Sequence, residues 1–212
     1  MRSSGEASAS KLDNPQRASV RALAAVAVAL VVSVTLNVLL AHKVRSLSSA
    51  QLARFADRLL KVGTTVPPIA AKRLDGQPEM ISYQSPDQPT VLYIFTPPCH
   101  WCAQNVDNLN ALVDKERGQY RFIGVSLSEQ GLVDYVAKNE LKLAVYSGLT
   151  PEARQAYKLG GTPQTIVVST EGRVLQNWIG AYVGDQKTQV EAFFHVTLPG
   201  LRELPKSVTA KN

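Results

Sequence analysis

Residues 90–102 read ThrValLeuTyrIlePheThrProProCysHisTrpCys. The first seven, Thr90 to Thr96, form a short unbroken apolar run rich in β-formers. That pattern predicts a central strand covered on both faces. Pro97-Pro98 ends the strand, because proline lacks the N–H a ladder needs. From Cys99 to about Val113 a helix is expected: Val106, Leu109, Leu112 and Val113 recur at helical spacing. A strand, a break and a helix opening on Cys-x-x-Cys put the first thiol at a helix N-terminus. There the unpaired N–H groups and the helix dipole favour a thiolate. Cys99 and Cys102 are the only two cysteines of the chain. Cys99 is therefore expected to be the attacking nucleophile. Cys102, one turn further in, is expected to be more buried and to resolve a mixed disulfide by attacking Cys99.

Other elements follow on either side. Val66-Pro67-Pro68-Ile69 and the turn Leu74-Asp75-Gly76-Gln77 predict a short hairpin. Tyr120 to Ser126 is the next strand, Leu132 to Asn139 a helix and Leu143 to Tyr146 a strand. Thr150-Pro151-Glu152 starts a helix, with Thr at the cap and Pro in the first turn, ending near Tyr157. Gln164 to Ser169 and Val174 to Ile179 are strands joined through Thr170-Glu171-Gly172. Asp185 to His195 is a last helix. The order β-α-β-α-β-α-β-β-α predicts an α/β sheet with mostly parallel pairing and a hairpin near one edge.

Other uses of the two cysteines carry less weight. A structural zinc site needs four ligands, and the chain offers two Cys and three His. His42 follows an apolar run and His195 has no second ligand near it in sequence. A purely structural disulfide is also disfavoured, since so short a loop removes little chain entropy. His100, if protonated, would favour the Cys99 thiolate and make the pair more oxidising. Trp101 is read either as a surface for a partner or as a shield for the disulfide. For both residues the competing reading is a filler that tunes the potential slightly.

The chain carries 23 Lys+Arg against 17 Asp+Glu, a net charge of +6. The excess is scattered, with no basic block interleaved with aromatics, so no nucleic-acid partner is expected. Residues 22–41 contain no charged side chain. As a helix of about 20 residues they would span ~30 Å, the thickness of a bilayer core. Their polar members Ser33, Thr35 and Asn37 can bond back to their own helix. The competing reading is a cleaved secretion signal, but such apolar regions are shorter and no Ala-x-Ala site follows directly. Lys11, Arg17 and Arg21 precede the run, and Lys43, Arg45, Arg54, Arg58 and Lys61 follow it, so charge gives no orientation. The expected organisation is a tail at 1–21, an anchor at 22–41, a helical stalk at 42–62, one domain at 63–198 and a tail at 199–212.

Three stretches carry a resemblance: residues 95–102 (PheThrProProCysHisTrpCys), residues 160–168 (GlyGlyThrProGlnThrIleValVal) and the turn ThrGluGlyArgVal at 170–174. Together they resemble the thioredoxin-like superfamily, most of all its membrane-tethered TlpA/ResA-type thiol–disulfide oxidoreductases. The resemblance implies a thioredoxin-like α/β fold, a mixed sheet flanked by helices, preceded by one transmembrane helix. It implies a cis-proline at Thr162-Pro163 beside the cysteines, with both residues bordering a groove for a partner's backbone. It further implies a domain outside the cytoplasm, in a periplasm, acting on protein dithiols or disulfides and fed by a membrane electron donor. No organic cofactor or metal is called for, since electrons travel through thiols. The chain departs from cytochrome-maturation members, which often have Glu three residues after the second cysteine, where Asn105 stands. A peroxiredoxin-like peroxidase is the first alternative: Thr96-Pro97-Pro98-Cys99 matches a Thr-x-x-Cys element, although that family has Pro where Leu92 stands. A membrane-bound docking or copper-handling module is the second, with His100 the one histidine near the cysteines.

Overall fold

A computed structural model of the chain describes residues 27, 30–45, 59–84 and 88–203. The expected tail at 1–21, most of the stalk and residues 204–212 lie outside the described residues. Two units are distinct, residues 1–57 and residues 58–212. In the first, residues 30–45 form helix α1, whose aliphatic side chains are exposed. Two of its polar residues return to their own backbone, as the sequence reading expects. Thr35 Oγ1 donates to Val31 O and Asn37 Nδ2 to Ser33 O, each at 2.8 Å. No described helix is long and apolar enough to cross a membrane; the apolar run at 22–41 begins in residues outside the description.

The second unit is built on one sheet. Its elements are β1 (Ile69–Arg73), β2 (Pro78–Ile81), β3 (Thr90–Phe95), α2 (His100–Gln104), α3 (Val106–Glu116), β4 (Arg121–Ser126), α4 (Leu132–Asn139), β5 (Ala144–Ser147), α5 (Pro151–Ala156), β6 (Gln164–Val168), β7 (Val174–Ile179) and α6 (Gly184–Phe194). The strand order is β2-β1-β5-β4-β3-β6-β7. Strand β3 lies inside the sheet and every residue of it is buried. Its side chains alternate between two cores, as a doubly covered strand requires. Val91, Tyr93 and Phe95 pack with Leu109, Leu112, Tyr135, Val190 and Phe194 from α3, α4 and α6. Leu92 and Ile94 point the other way, toward Ile69, Ile123, Tyr157 and Ile166, with Ala153 and Ala156 of α5 alongside.

Two expectations need correction. The sheet is mixed, as the resemblance implies, and not mostly parallel, as the element order suggests: β3–β4 and β4–β5 are parallel, while β3–β6, β6–β7, β1–β2 and β1–β5 are antiparallel. The helices after β3 and β4 return the chain to the starting end of the sheet. The connection through the 6-residue α5 does not. Strand β6 therefore starts at the end where β5 finishes and runs antiparallel to β3. The second correction concerns the helix expected from Cys99 to Val113, which breaks at Asn105 into α2 and α3. The Asn105 side chain bonds elsewhere in the fold, a local competition with helix that asparagine is suited to. By contrast the cap at Thr150 forms as read: its Oγ1 accepts from Ala153 N at 3.2 Å.

All seven tyrosines have phenols pushed above their ordinary value, first of all by burial. Tyr135 is pushed up to about 12. Tyr83 and Tyr157 face each other with their hydroxyls 2.6 Å apart. In the unfolded chain a phenol ionises near 10. Above about pH 10 the unfolded state therefore holds fewer protons than the folded state, and stability falls as pH rises. The expected outcome is an alkaline unfolding in which tyrosinate absorbance and loss of far-ultraviolet ellipticity rise together. Tyrosinate formation near pH 10 with the fold intact would contradict it.

Candidate active site

The site lies where three strand ends meet. Strand β3 delivers the chain into Thr96-Pro97-Pro98, a turn closed by Cys99 N–H donating to Thr96 O at 3.1 Å. Cys99 is the N-cap of α2, with extended backbone at φ −73° and ψ 110°. Its Sγ accepts from Cys102 N–H at 3.1 Å, and its carbonyl accepts from Ala103 N–H at 3.1 Å. A side-chain acceptor at this position satisfies one of the N–H groups left over at a helix start. The two cysteines are joined as a disulfide, with Cα atoms 5.2 Å apart. Cys99 is partly exposed and Cys102 is fully buried. Cys99 keeps part of its surface open to solvent, and Cys102 has none.

The second strand end is the start of β6. The Thr162-Pro163 peptide is cis. Thr162 O lies 3.5 Å from Cys99 Sγ. When the pair is reduced, that carbonyl is the acceptor facing the Cys99 thiol. Thr162 is partly exposed and Pro163 buried. Pro163 O accepts from Gly180 N–H at 2.7 Å, which ties in the third strand end, that of β7. Cys99, Cys102, Thr162 and Pro163 are thus brought together. His100 and Trp101 lie on the open side, both exposed, with rings edge to face at 5.8 Å.

Beneath the disulfide is a polar group that the sequence reading did not assign to the site. Asn105 is fully buried. Its Oδ1 accepts from Tyr182 N–H and from Asn108 Nδ2, both at 3.0 Å, and its Nδ2 donates to Tyr93 OH at 3.4 Å. The Tyr182 hydroxyl is 2.7 Å from Thr165 Oγ1 on β6. Burying an amide is costly unless its bonding groups find partners, and here both ends of the amide do. One signal was available in sequence: Asn105 and Asn108 fall on the face of an otherwise apolar helix. Chemically, the arrangement pairs a sulfur at a helix N-terminus with a buried partner sulfur, the layout for reversible opening of a disulfide.

No protein-family model matches the sequence. A search of curated proteins also finds no match. Solved structures do match in fold. The thioredoxin domain of a thiol–disulfide oxidoreductase from Bacteroides vulgatus aligns with a TM-score of 0.54 at 18% identity, covering 64% of this chain and 99% of that one. A protein assigned as the thiol:disulfide interchange protein DsbE of Chlorobium tepidum aligns at 0.56 and 17%, covering 64% and 97%. A peroxiredoxin-like protein from Aquifex aeolicus aligns at 0.52 and 14%, covering 64% and 88%. The domain therefore has the thioredoxin-like α/β fold.

The difference in exposure between the two sulfurs sets an expected reactivity. In the reduced protein at neutral pH, iodoacetamide should modify Cys99 at least about tenfold faster than Cys102. Peptide mass spectrometry of a time course measures both rates. Equal rates would contradict the division into an open and a buried thiol.

Proposed function

We propose that the protein is a membrane-tethered thiol–disulfide oxidoreductase that reduces protein disulfides outside the cytoplasm. The observation that carries the reading is the Cys99–Cys102 disulfide at the N-terminus of α2, with Cys99 open and Cys102 buried. The reduced protein starts the reaction. The Cys99 thiolate attacks one sulfur of a partner disulfide; a mixed disulfide forms and one partner thiolate leaves. Cys102 then loses its proton and attacks Cys99 Sγ. The second partner thiolate leaves, the partner is reduced by two electrons, and Cys99–Cys102 is left as the disulfide. An electron donor must then reopen it, and for a tethered domain that donor belongs to the membrane.

Thr162 and Pro163 are assigned to the partner's backbone, since the Thr162 carbonyl stands beside the attacking sulfur. His100 is assigned to tuning of the pair: a protonated imidazole next to Cys99 in the chain favours its thiolate. Trp101 is assigned to partner contact, in keeping with an exposed indole beside the disulfide. The tether rests on the uncharged apolar run at 22–41. Placement of the domain in a periplasm rests on the resemblance to TlpA/ResA-type proteins. The shared fold of the peroxiredoxin-like neighbour keeps a peroxidase as the second reading.

The deciding experiment equilibrates the protein with thiol buffers and follows the pair by Trp101 fluorescence. A reversible two-electron transition near −270 mV, about the thioredoxin value, is expected of a reductant; one near about −120 mV would make the protein an oxidant. Cys102→Ser should trap a mixed disulfide with a disulfide-bonded substrate, and Cys99→Ser should trap none. Faster turnover of hydrogen peroxide than of protein disulfides would put the peroxidase first. Absence of any transition would leave a binding module. The tether has its own outcome: the full chain should stay with membranes through alkaline carbonate, and release into the supernatant would refute it.

A further inference from the structure

The chain does not leave the domain after α6. Leu198 is buried in the core, and its N–H donates to Glu191 Oε1 at 2.8 Å. Lys115 Nζ donates to Thr197 O at 2.6 Å. Gly200 N–H donates to Asn108 Oδ1 at 2.8 Å, and Arg202 N–H to Gln104 O at 2.7 Å. The Arg202 guanidinium bonds Asp107 Oδ1 through Nε at 2.9 Å and through Nη2, and reaches Asn139 Oδ1 at 3.3 Å. Residues 199–203, read from sequence as the start of a tail, run back along α3. Their bonds to the redox helices fall on Gln104, Asp107 and Asn108, around the break at Asn105.

The position matters because α2 is only 5 residues long. A single turn does not hold itself, since fixing its backbone costs more than its few bonds return. Its geometry is set by what grips its two ends. The N-terminal end carries the disulfide. At the other end Gln104 O is one of the carbonyls that a helix terminus leaves without an internal partner, and Arg202 N–H supplies it. The Arg202 fork, planar and multiply bonded, fixes that N–H against α3. Tyr182 grips the same junction through Asn105 from the side of β7.

We propose that Pro199–Glu203 is a strap that sets the redox turn, with Arg202 as a positioning residue for exchange at Cys99. The proposal rests on the oxidoreductase reading. Arg202 acts through Gln104 and Asp107: loosening the junction lets α2 tilt, and the Cys102 N–H aimed at the Cys99 sulfur loses alignment. A misaligned helix start stabilises the thiolate less.

The test compares full-chain wild type, Arg202→Met, Arg202→Lys and Asp107→Ala. Three quantities are read: the exchange equilibrium with a thiol buffer, the pH profile of Cys99 alkylation, and the thermal midpoint. Arg202→Met and Asp107→Ala should each move the midpoint of the alkylation profile upward. Each should also slow alkylation at neutral pH by at least about threefold. Arg202→Lys, which keeps the charge toward Asp107, should recover most of that loss. A lowered thermal midpoint with exchange and alkylation unmoved would overturn the strap and leave it a structural clasp. A wild-type chain with no reversible transition would overturn the oxidoreductase reading itself, and the strap with it. A wild-type transition that both Arg202→Met and Asp107→Ala leave unmoved would overturn the strap alone.

Discussion

The antiparallel entry of β6 beside β3 is the constraint on which the site depends. Strand β3 ends where Cys99 must begin its helix, and nothing in that strand alone supplies a second wall. Because the short α5 does not carry the chain back along the sheet, β6 starts at that same end. Thr162 and Pro163, immediately before β6, are thereby set against the sulfur. Strand β7 then returns antiparallel to β6 and finishes at the same end, with Ile179 opposite Gln164. Its exit, Gly180 to Tyr182, reaches both Pro163 and Asn105. A parallel β6 would have placed Thr162 at the far end of the sheet, a strand length away from Cys99.

The second constraint is electrical. A thiolate needs donors and a nearby route to a partner, while the ground beneath it must not carry an unpaired charge. The helix start provides a donor in Cys102 N–H. Below it, Asn105, Asn108, Tyr93, Tyr182 and Thr165 form a buried set linked by hydrogen bonds. Every member is neutral at physiological pH, and the Tyr93 and Tyr182 phenols are held protonated by burial. The set is polar enough to hold the α2–α3 break in one geometry. It adds no charge of its own to the energetics of the dithiol.

Much of this was legible in sequence, for physical reasons that differ by element. The run Thr90–Thr96 has too few polar positions to face water, so a doubly covered strand was the one reading open to it. The cap at Thr150 is a local interaction and forms as read. Thr162-Pro163 was legible through its resemblance to a known motif, since no local rule distinguishes it from another Thr-Pro. The direction of β6 was not legible from the order of elements: a 16-residue connection can lead into either a parallel or an antiparallel strand, and tertiary packing decides which. Neither was the break at Asn105, because the apolar periodicity runs straight through it. The periodicity records which face is buried, whereas the break records where one side chain finds its partners. Residues 199–203 were invisible for a similar reason. Backbone N–H groups make two of their contacts, and backbone groups are the same in every sequence.

The division between open and closed sides of the disulfide follows from the same geometry. Exchange needs one sulfur that meets a partner and one that does not compete for it. A spacing of three residues returns Cys102 to nearly the same helix face as Cys99 but about 4.5 Å further along the axis, so only one of them sits at the mouth of the site. Which one is decided by the strand: Pro97-Pro98 leads Cys99 out at the sheet's end, and one turn later the helix axis has carried Cys102 over the core that Tyr93 and Phe95 line. The residues between them, His100 and Trp101, are forced to the outside by the same rotation. Both stay exposed there, and neither belongs to the two cores that hold the site.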